Sequence, residues 1–243
     1  MIKLIGLGLV SCLAMACASA GRAPVVAANA LCAGGSVHGD AELEAYRHCA
    51  EVSGDLKIED VCGVSTLAGL RKVSGTLSIA HNNGLDSLTG LEQLQEVSVL
   101  ELRDNPRLDD VSQVSQLRRV HTVVIEGNAQ LRDLRGLSGL AQIDRLTLLR
   151  NGFYSLHGLE NLAEVAVLEL NDNERLIDAG ALNHLVSARS VMIERNPRLC
   201  SWFGVLRGLT HSEQVALSGN IALDKTTLSH FEKSLGQVSI AAR

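Results

Sequence analysis

Seven asparagines, Asn82, Asn105, Asn128, Asn151, Asn173, Asn196 and Asn220, recur at steps of 23, 23, 23, 22, 23 and 24 residues. Each stands three residues after the last apolar residue of a short alternating segment: Leu77-x-Ile79, Leu100-x-Leu102, Val123-x-Ile125, Leu146-x-Leu148, Leu168-x-Leu170, Val191-x-Ile193 and Val215-x-Leu217. Alternation of period two is a strand signal. A fixed period of this length marks a solenoid, whose repeats bury their apolar sides only against their neighbours. The remainder of each repeat is a leucine-rich return broken by Gly-Leu pairs such as Gly90-Leu91, Gly136-Leu137 and Gly158-Leu159, too short and irregular for a full helix. The expected fold is a leucine-rich-repeat-like β-solenoid: a parallel β-helix of about eight rungs, with one sheet along one face and short turns along the other.

The asparagines have a physical task. A chain leaving a strand carries backbone N–H and C=O groups into the coil without ladder partners, and each costs roughly 1–3 kcal/mol if buried unpaired. A side-chain amide offers two donors and an acceptor, enough to serve the turn of its own rung and the next. Seven in register predict a continuous buried ladder. Leu56-Lys57-Ile58 forms an earlier rung in which Val61 stands in the asparagine position, as suits an atypical terminal repeat.

The first 20 residues read as an export signal, with Lys3 ahead of an apolar run from Leu4 to Ala16 and small residues after it. Cys17 follows Ala14-Met15-Ala16 in the manner of a bacterial lipobox and is the candidate lipidation site, which would join the protein to a membrane through an N-terminal lipid. Lipidation at Cys12, after Leu9-Val10-Ser11, and plain cleavage after Ala20 remain open. Residues 21–31 read as a tether, and 32–243 as a single solenoid domain. The expected location is the bacterial cell envelope or the secreted space. A net charge of −5 provides no basic stripe for nucleic acid.

Both ends of the domain carry amphipathic stretches that suit short helical caps. Asp40 is a candidate N-cap, with Leu43, Tyr46 and Cys49 on one face; Leu228, Phe231 and Leu235 form the second stretch. Cys32-x-Gly, the run Glu42-Leu-Glu-Ala-Tyr-Arg-His-Cys49, and Val52-x-Gly54-x-Leu56-x-Ile58 together resemble the opening of the receptor L domain, the leucine-rich-repeat-like module of growth-factor-type receptors that also stands alone in bacterial surface proteins. The resemblance covers about residues 32–235 and implies a Cys32–Cys49 disulfide. There is no cysteine-rich module, second L domain or kinase, so hormone binding and signalling are not implied. Cys62 and Cys200 lie six rungs apart, which at about 4.8 Å per rung is far beyond the roughly 7 Å reach of a disulfide; both are expected unpaired and largely buried.

No catalytic constellation stands out. His81, His121, His157 and His184 fall in separate turns without ligand spacing, and no nucleophile elbow or phosphate loop is present. No metal, cofactor or enzymatic activity is expected. The remaining function is presentation of a surface that recognises a protein or glycan, with a structural or adhesion scaffold as the alternative. Residues between the buried strand positions face outward and form two columns. The first is Lys57, Ser78, Glu101, Val124, Thr147, Glu169, Met192 and Ala216; the second is Glu59, Ala80, Arg103, Glu126, Leu149, Asn171, Glu194 and Ser218. The candidate contact face within them comprises Glu101, Arg103, Val124, Glu126, Leu149, Glu169, Asn171, Met192 and Glu194: an acidic set around apolar residues expected to be exposed. Phe153-Tyr154, in the one 22-residue repeat, is a second candidate contact, with Trp202-Phe203 in a similar turn two rungs on.

Overall fold

A computed structural model of the chain describes residues 30–200, 209, 212–223 and 240–241. Among these residues, ten strands form one parallel sheet whose spatial order is the chain order. They are β1 (Ala30–His38), β2 (Cys49–Glu59), β3 (Lys72–Ala80), β4 (Glu96–Arg103), β5 (Thr122–Glu126), β6 (Gln142–Leu149), β7 (Glu164–Asn171), β8 (Ser187–Glu194), β9 (Gln214–Ala216) and β10 (Ile240–Ala241). Each strand pairs with its sequence neighbours, so the chain winds as a solenoid with a buried asparagine ladder. The C-terminal cap positions Leu228, Phe231 and Leu235, together with Trp202, Phe203 and the export signal, lie outside the described residues.

The longer strands have a bend that simple alternation does not give. Their buried residues fall at Val97, Leu100 and Leu102 in β4, at Ile143, Leu146 and Leu148 in β6, and at Val165, Leu168 and Leu170 in β7. Two consecutive unburied residues, such as Asp144 and Arg145, therefore interrupt each alternation and turn the strand toward the return. The return itself is regular. Leu85, Leu88, Leu91 and Leu94 are fully buried at a spacing of three, as are Leu131 and Leu134, with Leu137 and Leu140 barely less so. A spacing of three matches the three residues per turn of a 3₁₀ helix, in which i and i+3 eclipse. Short 3₁₀ turns occur at Ser65–Leu67, Ser112–Val114, Arg135–Leu137 and Gly180–His184. Burying each Leu or Val contributes about 1.5–3 kcal/mol, and every rung supplies its share to one continuous core.

The ladder forms with a definite direction. Asn105 Oδ1 accepts from the backbone N–H of Asn82 at 3.1 Å, and Asn105 Nδ2 donates to Ile79 O at 2.9 Å. The same backbone step repeats from Asn105 to Asn128, then to Asn151, Asn173, Asn196 and Asn220. Each amide thus serves the preceding rung, while Asn128, Asn173, Asn196 and Asn220 also donate within their own turn. Asn82, Asn128, Asn173 and Asn196 donate forward to the Oδ1 of the next rung's asparagine, as expected. The direction explains Val61: its N–H donates to Asn82 Oδ1 at 2.9 Å, so the first rung is satisfied without an asparagine of its own.

A feature invisible to the hydrophobic pattern sits immediately before each ladder position. Asp60, His81, Asp104, Gly127, Arg150, Asp172, Arg195 and Gly219 all have positive φ, between 49° and 73°. This left-handed turn swings the chain out of the strand and presents the next residue's amide to the ladder. It costs an L-residue about 1–2 kcal/mol, yet six of these eight positions are not glycine. At Gly127 a Cβ would lie 2.1 Å from Asp104 Oδ1, so the Asp104 carboxylate would have to swing aside for any other residue.

At the N-terminal end, α1 (Asp40–Leu43) and a 3₁₀ turn at Glu44–Tyr46 lie over the core, with Leu43 buried. Gly39 occupies the N-cap rather than Asp40, and no side chain caps the helix. The Asp40 carboxylate instead accepts from the Cys62 N–H at 3.0 Å, tying the helix to the turn that follows β2. Cys32 and Cys49 form a disulfide with Cα atoms 5.8 Å apart. The other two expectations for cysteine need correction. Cys62 is itself disulfide-bonded and only half-buried, and Cys200 is a free thiol but exposed rather than buried. The repeat register keeps Cys62 and Cys200 too far apart to bridge each other, but it places no bar on a bridge from Cys62 to another cysteine. Cys200 is exposed because it lies one residue after the inward Leu199, on the outside of the turn.

Candidate functional site

The outward columns run in register across the sheet. Lys57 pairs with Ser78, Ser78 with Glu101, Glu101 with Val124, Val124 with Thr147, Thr147 with Glu169, Glu169 with Met192, and Met192 with Ala216. In the second column Ala80 pairs with Arg103, Arg103 with Glu126, Glu126 with Leu149, Leu149 with Asn171, and Asn171 with Glu194. The nine candidate residues therefore lie on one continuous face. A third column, missed in the sequence, runs beside them: Thr76, Val99, Thr122, Arg145, Val167, Ser190 and Gln214. It was legible by carrying the alternation one step back from the first apolar residue of each Leu/Val-x-Leu/Ile segment, as in Thr76-x-Ser78-x-Ala80.

The apolar residues of the face are less open than expected. Val124 is only 7 % exposed, and Leu149 and Met192 are half-buried. Parallel strands about 4.8 Å apart bring flanking side chains against one another, and the short Val124 is shaded between Glu101 and Thr147. The third column compensates by adding half-buried Val99, Thr122 and Val167 to the same region. The centre is thus a mixed Val/Thr/Leu surface of half-buried side chains.

The acidic set is not a bare negative surface either. Arg103 reaches both Glu126 and Glu101, the latter at 3.5 Å, and Arg150 reaches Glu126 from the other side. Arg145 Nη1 donates to Glu169 Oε1 at 2.7 Å, while the Thr147 hydroxyl donates to Glu169 Oε2 at 2.8 Å. Glu194 accepts from Arg195 at 3.1 Å and from the Ser218 hydroxyl at 2.6 Å. Its backbone N–H donates to Asn171 Oδ1 at 2.9 Å. Glu59 lies between His38 at 3.5 Å and His81 at 3.6 Å. Every carboxylate of the set therefore has a basic neighbour, and most links cross from one rung to the next.

The rim shows the same pairing. Arg195 grips Asp172 through Nε and Nη2 at 2.6 and 2.8 Å, which holds the Asp172 carboxyl below the usual aspartate range. At the opposite edge of the sheet, hydrogen bonds from Lys72 and then Arg119 hold the Glu96 carboxyl below the usual glutamate range. A groove of about 610 Å³ borders the ladder turns between Arg150, Arg175, Arg195 and Gly219. Two of those arginines are already committed, Arg150 to Glu126 and Arg195 to Asp172 and Glu194.

The shortened repeat resolves into two separate roles. Phe153 is fully buried and Tyr154 is 49 % exposed. Other turns place a leucine three residues after the ladder asparagine, such as Leu85, Leu108 and Leu131. Here the chain is one residue short, and Phe153 reaches the core from the second position, its larger ring filling the gap. Tyr154 is displaced outward into line with Ile177 and Cys200, whose backbone amides bond Tyr154 O and Ile177 O respectively. His81, His121, His157 and His184 are exposed. Among the described residues, no group of three or more His, Cys, Asp or Glu is placed to hold a metal ion, and no helix is long and apolar enough to cross a membrane.

Comparison of the chain with protein-family models and with curated proteins finds no match in either.

Proposed function

We propose that this chain is a non-catalytic binding module that recognises a protein partner through its sheet face. The observation that carries this reading is the face itself: three in-register columns in which half-buried Val99, Thr122, Thr147, Leu149, Val167 and Met192 are interleaved with cross-rung ion pairs, Arg145–Glu169 running between them and Arg103–Glu126 beside them. A face of mixed apolar and hydrogen-bonded polar groups suits a protein interface, which as a whole is about as apolar as the rest of a protein surface. The three columns also carry no aromatic side chain, so of the two partner classes considered, protein is favoured over glycan. Side chains already fixed by inter-rung hydrogen bonds lose less conformational entropy when a partner docks.

The finer architecture belongs to the same proposal. We read the module as a receptor-L-like solenoid of about eight rungs, capped by short helices at both ends. It is exported, and either lipid-anchored at Cys17 in the bacterial envelope or secreted.

One observation favours a second reading, a structural or adhesion scaffold without a single ligand. The carboxylates of the face are satisfied from within, so the surface makes no demand for an external cation. Outward substitutions separate the two. Leu149→Asp and Met192→Asp change the centre of the face without touching the core. Affinity capture from intact cells should lose the same partner with both variants while thermal unfolding stays unchanged. Recovery of identical partners by wild type and both variants would remove the sheet face as the site and leave the scaffold reading.

A further inference from the structure

Two Asn-Gly dipeptides occur in the chain, Asn83-Gly84 and Asn151-Gly152, and the fold places them in opposite circumstances. Asn-Gly is the pair in which the side-chain amide is most open to its own backbone, because glycine has no Cβ to hinder its nitrogen. The reaction is a cyclisation. The Gly nitrogen attacks the Asn Cγ and gives up its proton, a C–N bond forms, and the C–Nδ2 bond breaks with release of ammonia. Water then opens the five-membered imide at either carbonyl, giving aspartate or isoaspartate.

In Asn151-Gly152 both reacting groups are held. Asn151 Nδ2 donates to Ile125 O at 2.8 Å, and Asn151 Oδ1 accepts from the Asn128 backbone N–H at 3.2 Å and from Asn128 Nδ2 at 3.3 Å. The nucleophile, Gly152 N, donates to Asn128 O at 3.1 Å, and the Gly152 backbone packs so closely on Ala129 that a Cβ would lie 2.0 Å from its carbonyl oxygen. Asn83, by contrast, is the exposed residue immediately after the ladder position, in a turn. Neither its side chain nor Gly84 N makes a hydrogen bond among the described residues.

We propose that Asn83 is a site of spontaneous deamidation, a slow covalent modification that the ladder prevents at Asn151. The product places a new carboxylate on the turn that follows β3, beside the His81–Asp104 pair, whose Nε2 and Oδ2 are 3.7 Å apart. In its isoaspartate form it lengthens the backbone between Asn82 and Leu85, the two residues that close this turn. The edge of the sheet face therefore gains negative charge with age, whether or not that face binds a partner.

The test is peptide mapping of the folded, full-length chain held at mildly alkaline pH, scoring asparagine against aspartate and isoaspartate. Conversion at Asn83 should lead conversion at Asn151 by about a hundredfold or more, because the ladder must open before Asn151 can react. In denaturant the two sites should convert at comparable rates, and Asn83→Gln should abolish the shift without changing thermal unfolding. Conversion of Asn83 and Asn151 at the same rate in the folded protein would overturn the proposal. So would an unchanged Asn83 in folded protein whose denatured form converts.

Discussion

Asn128 shows what one ladder position does. Its Oδ1 accepts from Asn105 N–H at 3.2 Å, and its Nδ2 donates to Leu102 O at 2.9 Å and Glu126 O at 3.0 Å. Leucine fits the volume but offers no polar atom, so the Asn105 N–H and the Leu102 C=O would be left buried and unpaired at roughly 1–3 kcal/mol each. Asn128→Leu should therefore destabilise by about 3 kcal/mol in chemical denaturation. The neighbouring left-handed position gives a second expectation: Gly127→Ala combines a positive φ with a clash against Asp104 and should cost about 1–2 kcal/mol. The ladder was legible in the sequence because buried asparagine is rare enough for its period to stand out. The left-handed turn before it was not, because Asp, His and Arg there look like ordinary solvated residues and only the backbone reveals them.

At the scale of elements, the sequence shows the strands more clearly than their ends. Alternation finds Leu77 and Ile79 but stops short of Val73, because three unburied residues at the bend, Ser74, Gly75 and Thr76, separate them. That break hid the column containing Val99 and Val167. It also made the face look more acidic and more openly apolar than it is, since the basic partners Arg145, Arg150 and Arg195 lie outside the two columns first read. The shortened turn is a cleaner case of geometry deciding a role. Phe153→Ala should cost about 3–5 kcal/mol by opening a cavity, and Tyr154→Ala should stay within about 0.5 kcal/mol, both measurable by thermal unfolding. The Cys32–Cys49 bridge closes a loop with a sequence separation of 17. Replacing both cysteines by serine should therefore remove roughly 3 kcal/mol, with hydrogen exchange rising first in β1 and α1.

Across the whole molecule, each rung touches only its neighbours, so stability is close to a sum of rung and interface terms. Cross-rung ion pairs add a pH dependence of defined sign. Glu96, drawn below its ordinary 4.5 by Lys72 and Arg119, and Asp172, drawn below its ordinary 3.8 by Arg195, are charged and paired in the folded state. Their contribution is fully present above those ordinary values and is lost as the pH falls through the lowered folded values. Acid unfolding should accordingly steepen below pH 4.5 for Glu96 and below 3.8 for Asp172, and Arg195→Leu should flatten the lower part of the curve.

The largest claim is that the sheet face meets a protein. Photo-crosslinking residues installed one at a time at Leu149, in the centre of the face, and at Gln116, exposed on the return side, test it on living cells. The account predicts that position 149 captures one discrete protein species and that position 116 does not capture it. The same species captured from both positions, or none from 149 under conditions that crosslink a known surface complex, would contradict it.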